Sequence, residues 1–249
     1  MDNKGREEKV FGRPQSIHST RTHYCPGCGH SLIHRLICEV IDELGIQGRT
    51  IGVSPVGCAV FAFNYINVDF TDALHGRAPA VATGIKRSRP DRVVFTYQGD
   101  GDLAAIGLAE IVHAASRAEK ITTIFVNNAT YGMTGGQMAP TTLLGQETTT
   151  TPGGRDPATT GYPLRMAELL ATIQGVHFLT REAVDTPARV FSTKKAIKAA
   201  FVHQIEGQGF NLVEILSPCA SGWGMSPLKA REWLREHMIP QFPLGRFKP

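Results

Sequence analysis

Val93-Val94-Phe95-Thr96-Tyr97-Gln98-Gly99-Asp100-Gly101-Asp102 is the stretch on which the fold turns. The β-branched and aromatic run reads as a buried strand, and the glycines after it end the strand in a turn. A helical pattern follows over residues 103–117. Glycines directly after a parallel strand let the backbone approach a phosphate, and the next helix N-terminus favours negative charge. A carboxylate at Asp100 repels a bare phosphate, but the two are compatible when a divalent cation lies between them. Magnesium takes octahedral oxygen ligands, one or two from side chains, with phosphates completing the shell. The next predicted strand, residues 121–126, delivers Asn127-Asn128. Parallel neighbours end on one sheet edge, so Asp100 and Asn128 are expected to meet at one ion.

Outward from this stretch, short β-branched runs alternate with helical patterns. Strands are predicted over residues 50–53, 92–97, 121–126, 176–179 and 210–216, and helices over 77–86, 103–117, 164–173, 193–205 and 226–237. An earlier helix is marked by Leu32, Ile33, Leu36, Ile37, Val40, Ile41 and Leu44, with Ser31 placed to cap it and Gly45 to end it. Such alternation implies an α/β fold, a doubly wound, mostly parallel sheet with helices on both faces. Residues 1–22 are polar and basic and read as an N-terminal arm, leaving 23–249 as one binding domain. Residues 130–162 are rich in Thr and Gly with little periodicity, and so long a loop in a compact domain is usually functional or a partner contact.

Composition narrows the class. The chain has 249 residues, 42% of them apolar and 19% charged, enough for a sizeable core. Lys and Arg outnumber Asp and Glu by 26 to 22, a net +4 with no basic run interleaved with aromatics, so nucleic acid is not an expected partner. No apolar stretch reaches the ~18 residues of a membrane helix. Residues 1–10 are charged and lack the apolar core of a signal peptide, so a cytoplasmic location is expected. There, cysteines are thiols or ligands more often than disulfides.

Cys25-Pro-Gly-Cys28-Gly-His30 places two thiols in a loop, and Cys58 and Cys219 lie in further Gly- or Pro-bearing loops. Four thiolates hold zinc or a [4Fe–4S] cluster, and ligand count alone does not choose. Cys38 falls on the first helix and reads as a packed thiol.

The spacing from Gly99-Asp100-Gly101 to Asn127-Asn128 resembles the thiamine diphosphate motif. By that resemblance Asp100, the Asn128 side chain and the Thr130 carbonyl hold Mg2+, and Gly101, Asp102, Gly132 and Met133 line the cofactor. From Tyr24 onward the chain is similar to the β subunit of 2-oxoacid:ferredoxin oxidoreductases. The pieces that match are Cys25-Pro-Gly-Cys28-Gly, Val56-Gly57-Cys58-Ala59, Leu74-His75-Gly76-Arg77, residues 99–102, residues 128–137 and Ser217-Pro218-Cys219. The resemblance implies thiamine diphosphate beside one [4Fe–4S] cluster on Cys25, Cys28, Cys58 and Cys219, with Val56, Gly57, Cys58 and Ala59 also touching the cofactor. It implies oxidative decarboxylation of a 2-oxoacid to acyl-CoA and CO2, with coenzyme A as acyl acceptor and ferredoxin as electron acceptor. The implied partners are an α subunit that supplies the glutamate at the aminopyrimidine, and a γ and/or ferredoxin-like δ subunit.

Within that family, residues 131–137 and the tail 233–248 look most like the 2-oxoisovalerate, branched-chain branch. Met133 and His75 are the candidates nearest the reacting substrate; His75, like His30, equally suits a hydrogen-bonded structural role. Many 2-oxoglutarate-type relatives carry Lys where this chain has Gly135. Pyruvate, 2-oxoglutarate and arylpyruvates are the alternative substrates, and a zinc-stabilised nucleic-acid-binding module is the alternative of different class. Trp223, His113, His177, His203 and His237 read as core or surface.

Overall fold

The computed structural model describes residues 12–249. The charged stretch 1–10 lies outside the described residues. Residues 12–22 lie against the first helix: Ser16 is buried, its hydroxyl donates to the Cys38 carbonyl at 3.0 Å and its N–H to Asp42 at 3.1 Å.

The chain runs α1 His30–Glu43, β1 Thr50–Ser54, β2 Asp69–Asp72, α2 Ala78–Ser88, β3 Val93–Gly99, α3 Leu108–Ser116, β4 Thr122–Asn127 and α4 Pro157–Thr160. It continues through α5 Met166–Ala171, β5 Val176–Ala183, α6 Pro187–Ile205, β6 Phe210–Leu216, α7 Pro227–Trp233, α8 Ile239–Gln241 and β7 Gly245–Lys248. Among the described residues seven strands form one sheet in the order β2-β1-β3-β4-β6-β5-β7. β1 to β6 pair in parallel, and β7 joins β5 antiparallel at the edge. The sheet is doubly wound and mostly parallel, as the alternating pattern predicts.

The period of two along each strand divides its side chains between two cores. Val93, Phe95 and Tyr97 of β3, with Ile124 and Val126 of β4, pack against α1 and α6. Val94 and Phe125 face the other way, into α2, α3 and α5. All seven are almost fully enclosed, worth roughly 1.5–3 kcal/mol each in transfer terms. A third cluster, with Leu234, Met238, Phe242 and Trp233, carries the C-terminal segment over Ala129 and Leu216.

Three local expectations change. The helix predicted over 103–117 begins two residues earlier as a π-helical turn, Gly101–Ile106, and α3 starts only after Gly107. A Cβ on Gly107 would stand 2.6 Å from the Gly76 carbonyl oxygen, so the loop before α2 presses into the break. Gly29, not Ser31, precedes α1, and Ser31 contacts Thr22 instead. Gly45 does end α1, at φ +62°, with Ile46 N–H donating to Ile41 and Gly45 N–H to Asp42. The segment 130–162 is long but closed: the buried Arg155 guanidinium donates to the carbonyls of Pro140, Thr142, Gly161 and Tyr162.

Candidate active site

β1, β3, β4 and β6 all end on one edge, where a doubly wound sheet binds its ligands. Asp100 leaves β3 into the π-helical turn, with a carboxylate only 2% exposed. Its Oδ1 accepts from Gly101 N–H at 2.9 Å and its Oδ2 from Thr141 at 2.7 Å. Burial pushes the carboxyl up to about 6, against those donors and the backbone N–H groups of Asn128 and Thr130. A buried carboxylate aimed at a turn of amides, and disfavoured as an anion, is a donor that a cation completes.

The second wall comes from β4. Asn127 points back into the fold, its amide donating to Glu214 at 2.8 Å. Asn128 faces the recess. Ala129 then takes φ +57°, a left-handed conformation that costs a residue with a Cβ about 1–2 kcal/mol. The turn is held by donors from outside: Thr142 to the Ala129 carbonyl at 2.7 Å, Gln146 to the same oxygen at 3.2 Å, and the Trp223 indole to the Asn128 carbonyl at 3.0 Å. The Tyr131 ring covers Gly101, where an added Cβ would stand 2.0 Å from it.

Asp102, expected to line a cofactor, is also a hub of the fold. Its Oδ1 accepts from Gly76 N–H at 2.9 Å and Val56 N–H at 3.3 Å, and its Oδ2 from Gln98 at 2.7 Å. His75 Nδ1 lies 2.7 Å from the same Oδ1 but out of line for a good hydrogen bond. One carboxylate thus draws the Val56 and His75 loops to the edge of β3.

These loops enclose a recess of about 130 Å3 lined by Val56, Gly57, Cys58, Ala59, His75, Asp100, Gly101, Asp102, Asn128, Thr130, Gly132 and Met133, with His30 and others. It gathers every residue assigned to magnesium and the cofactor. Size alone does not pick it out: a cleft of about 690 Å3 beside α1 and α6 holds none of these groups. Met133 is 51% exposed at the rim, and no Lys or Arg lines the recess among the described residues.

Cys25, Cys28, Cys58 and Cys219 line a second recess with His23, Tyr24, His30, Asn128 and Gly132. Burial pushes Cys28 up to about 11 and Cys219 up to about 12, and raises Cys58. Backbone N–H groups of His30 and Gly222 point at the first two sulfurs. Sulfurs facing amides and lacking a cation fit a group that brings positive charge and deprotonates them. Among the described residues, no three or more of the His, Cys, Asp and Glu side chains are set to hold a single metal ion. Cys38 stands apart, buried in α1 with its thiol on the Ser16 carbonyl.

The pattern of residues missed Thr141 and Gln98, which hold the two carboxylates, and assigned Trp223 only to core or surface. The sole hint of Thr141 was the Thr-rich loop around it.

Residues 55–215 match the family described as the thiamine pyrophosphate enzyme, C-terminal TPP binding domain. The 2-oxoglutarate synthase subunit KorB of Methanocaldococcus jannaschii is 35% identical over 223 residues, covering 87% of this chain and 78% of that one. The chain belongs to the 2-oxoacid:ferredoxin oxidoreductase subunit family. Within that family it is more similar to the ketoisovalerate oxidoreductase subunit VorA of Methanothermobacter thermautotrophicus, 49% identical over 251 residues. That match covers 97% of this chain but 53% of the relative, so the chain spans about half the length of the ketoisovalerate relatives it matches. A solved 2-oxoglutarate:ferredoxin oxidoreductase from Magnetococcus marinus, with 2-oxoglutarate, coenzyme A and succinyl-CoA bound, superposes at a TM-score of 0.75 and 26% identity, over 97% of this chain and 86% of that one. Among the described residues no helix is long and apolar enough to cross a membrane.

Proposed function

We propose that residues 23–249 form the thiamine diphosphate- and [4Fe–4S]-binding unit of an enzyme that oxidatively decarboxylates 2-oxoacids, branched-chain ones preferred, to acyl-CoA and CO2 with reduction of ferredoxin. The observation that carries this reading is a shared wall: His30, Cys58, Asn128 and Gly132 line both recesses. A Cβ on Gly132 would stand 3.1 Å from Cys219 Sγ and 3.5 Å from Cys58 Sγ, so this glycine packs directly against two of the sulfurs, and Cys58 itself reaches both recesses.

Asp100, Asn128 and the Thr130 carbonyl are the residues for Mg2+, and Cys25, Cys28, Cys58 and Cys219 those for the cluster. When bound, thiamine diphosphate supplies the electron sink for decarboxylation. Asp100 brings the negative charge that fixes the cation, and Gly101 leaves room beside the Tyr131 ring. Met133 and Val56 offer an apolar rim, where each buried CH2 of a branched substrate gains ~0.8 kcal/mol. A second carboxylate there meets no Lys or Arg among the described residues, and its unpaired burial costs several kcal/mol. Gly135 sits at φ +116°, a backbone that disfavours the lysine carried by many 2-oxoglutarate-type relatives.

The catalytic glutamate is assigned to an α subunit, and onward electron transfer to a γ and/or ferredoxin-like δ subunit and ferredoxin. A zinc-stabilised nucleic-acid module leaves Asp100 and Asn128 without a role. Calorimetric titration tests the reading: Asp100→Ala abolishes Mg2+-dependent thiamine diphosphate binding, and Asn128→Ala weakens it less, because an uncharged oxygen is the poorer ligand. Comparison of kcat/KM for 2-oxoisovalerate and 2-oxoglutarate in the assembled enzyme tests the substrate, and a preference for 2-oxoglutarate moves the assignment to that acid.

A further inference from the structure

Trp223 joins the two recesses. Its backbone N–H donates to the Cys219 carbonyl at 2.9 Å, closing a single turn on the cysteine. Its indole N–H reaches the Asn128 carbonyl at 3.0 Å. Between them Gly222 is wedged: a Cβ there would stand 2.7 Å from Cys219 Sγ and 3.0 Å from the Thr130 side chain. Trp233 braces the indole, with ring centroids 4.4 Å apart. The turn from Cys219 to Trp223 is therefore in contact with a sulfur at one end and with both Asn128 and Thr130 at the other. Asn128 is followed by Ala129 at φ +57°, a conformation that persists only where its surroundings hold it.

We propose that Trp223 is a positioning residue that couples the two sites: by holding the Asn128 carbonyl, it lets occupancy of the cysteine recess set the geometry of the cation-binding turn. The proposal rests on the assignment of the recesses to a cluster and to Mg2+ with thiamine diphosphate. A ligand that fixes Cys219 fixes the strut, and the Asn128–Thr130 turn then loses less freedom on binding the cation. By linkage the effect is reciprocal, so the cofactor also strengthens retention of the cluster. The direct hydrogen bond sets the direction of the effect: removal of the donor uncouples the sites without emptying either.

The test is the affinity for thiamine diphosphate at fixed Mg2+, measured calorimetrically on the full chain in the assembly in which it purifies, with the cluster loaded and after iron chelation. The loaded form is expected to bind at least about fivefold more tightly. In Trp223→Phe, which keeps a ring and loses the donor, the ratio falls to near one while the iron content of the loaded form is unchanged. Trp233→Phe keeps the donor and keeps the ratio. With two Trp in the chain, the Trp233→Phe protein has Trp223 as its only indole, and its emission shifts when Mg2+ and thiamine diphosphate are added. A wild-type ratio retained in Trp223→Phe, or a ratio of one in the wild type, overturns the coupling. Wild-type protein without iron, or full affinity in Asp100→Ala, overturns the underlying assignment and the coupling with it.

Discussion

Thr141 donates its hydroxyl to Asp100 Oδ2 at 2.7 Å, across 41 residues of chain, and both groups are buried. The bond fixes the carboxylate proposed to bind the cation. A hydrogen bond to a charged group is worth roughly 1.5–3 kcal/mol, so Thr141→Val is expected to lower affinity for Mg2+ with thiamine diphosphate about tenfold or more. Burial pushes Asp100 up to about 6, so proton and cation compete below that pH and affinity falls as pH drops. The variant removes a donor that favours the anion, so its fall begins at a higher pH. Titrations at pH 8 and pH 6 check both effects; equal affinities in the two proteins at both pH values count against the role of Thr141.

Beneath the cysteine recess lie two buried histidines. His30 Nδ1 is 2.7 Å from the Tyr97 hydroxyl, and His34 Nε2 is 3.4 Å from Tyr24. Burial pushes His30 down from 6.5 to about 4, and His34 well below its usual value. The unfolded chain takes up protons near pH 6.5 that the fold refuses until about pH 4. The stability the two histidines contribute is therefore level above pH 6.5 and falls through that window, by on the order of 3 kcal/mol from His30 alone, against the opposite contribution of Asp100. His34→Phe should make the fall shallower. Urea unfolding midpoints at pH 7 and pH 5 measure it, and an unchanged slope in the variant refutes the contribution.

Arg181 is fully buried between two carboxylates, 2.8 Å from Glu214 and 2.6 Å from Glu168, with its guanidinium over the Phe242 and Phe247 rings. Glu214 in turn accepts from Asn127, so this group ties β5, β6 and the C-terminal segment to the end of β4. Arg181→Met leaves the buried Glu214 without its cation, while Glu168 keeps Arg165 at 3.1 Å, and should cost about 3–5 kcal/mol. Restoring an apolar partner in Arg181→Met/Glu214→Leu should recover part of that loss in denaturant unfolding. A double variant no better than the single one contradicts the account of the pair.

The central strands were legible because they are buried on both faces, which writes them as runs of β-branched and aromatic residues such as Val93 to Tyr97. β2 was not, because Asp69-Phe70-Thr71-Asp72 is a charged edge strand whose Phe70 packs over Gly52. The break at Gly107 was hidden for another reason: its cause is the backbone of Gly76, brought there by the fold. In the site, Asp100, Asn128 and the four cysteines stand at strand ends and in Gly-Pro loops that local pattern marks. Thr141, Gln98 and Trp223 carry no such mark. Each acts through a hydrogen bond across the tertiary structure, and neither periodicity nor spacing records which hydroxyl, amide or indole meets which oxygen.

Gly132 lies between the proposed cation–diphosphate pocket and the proposed iron–sulfur recess. The most direct measurement is low-temperature EPR of the anaerobically purified assembly, frozen after addition of Mg2+, thiamine diphosphate, coenzyme A and 2-oxoisovalerate. The expected result is about four irons per copy of this chain and a reduced-cluster signal that is missing from Asp100→Ala and Cys58→Ser. A colourless protein that holds zinc, or an undiminished signal in Asp100→Ala, contradicts it.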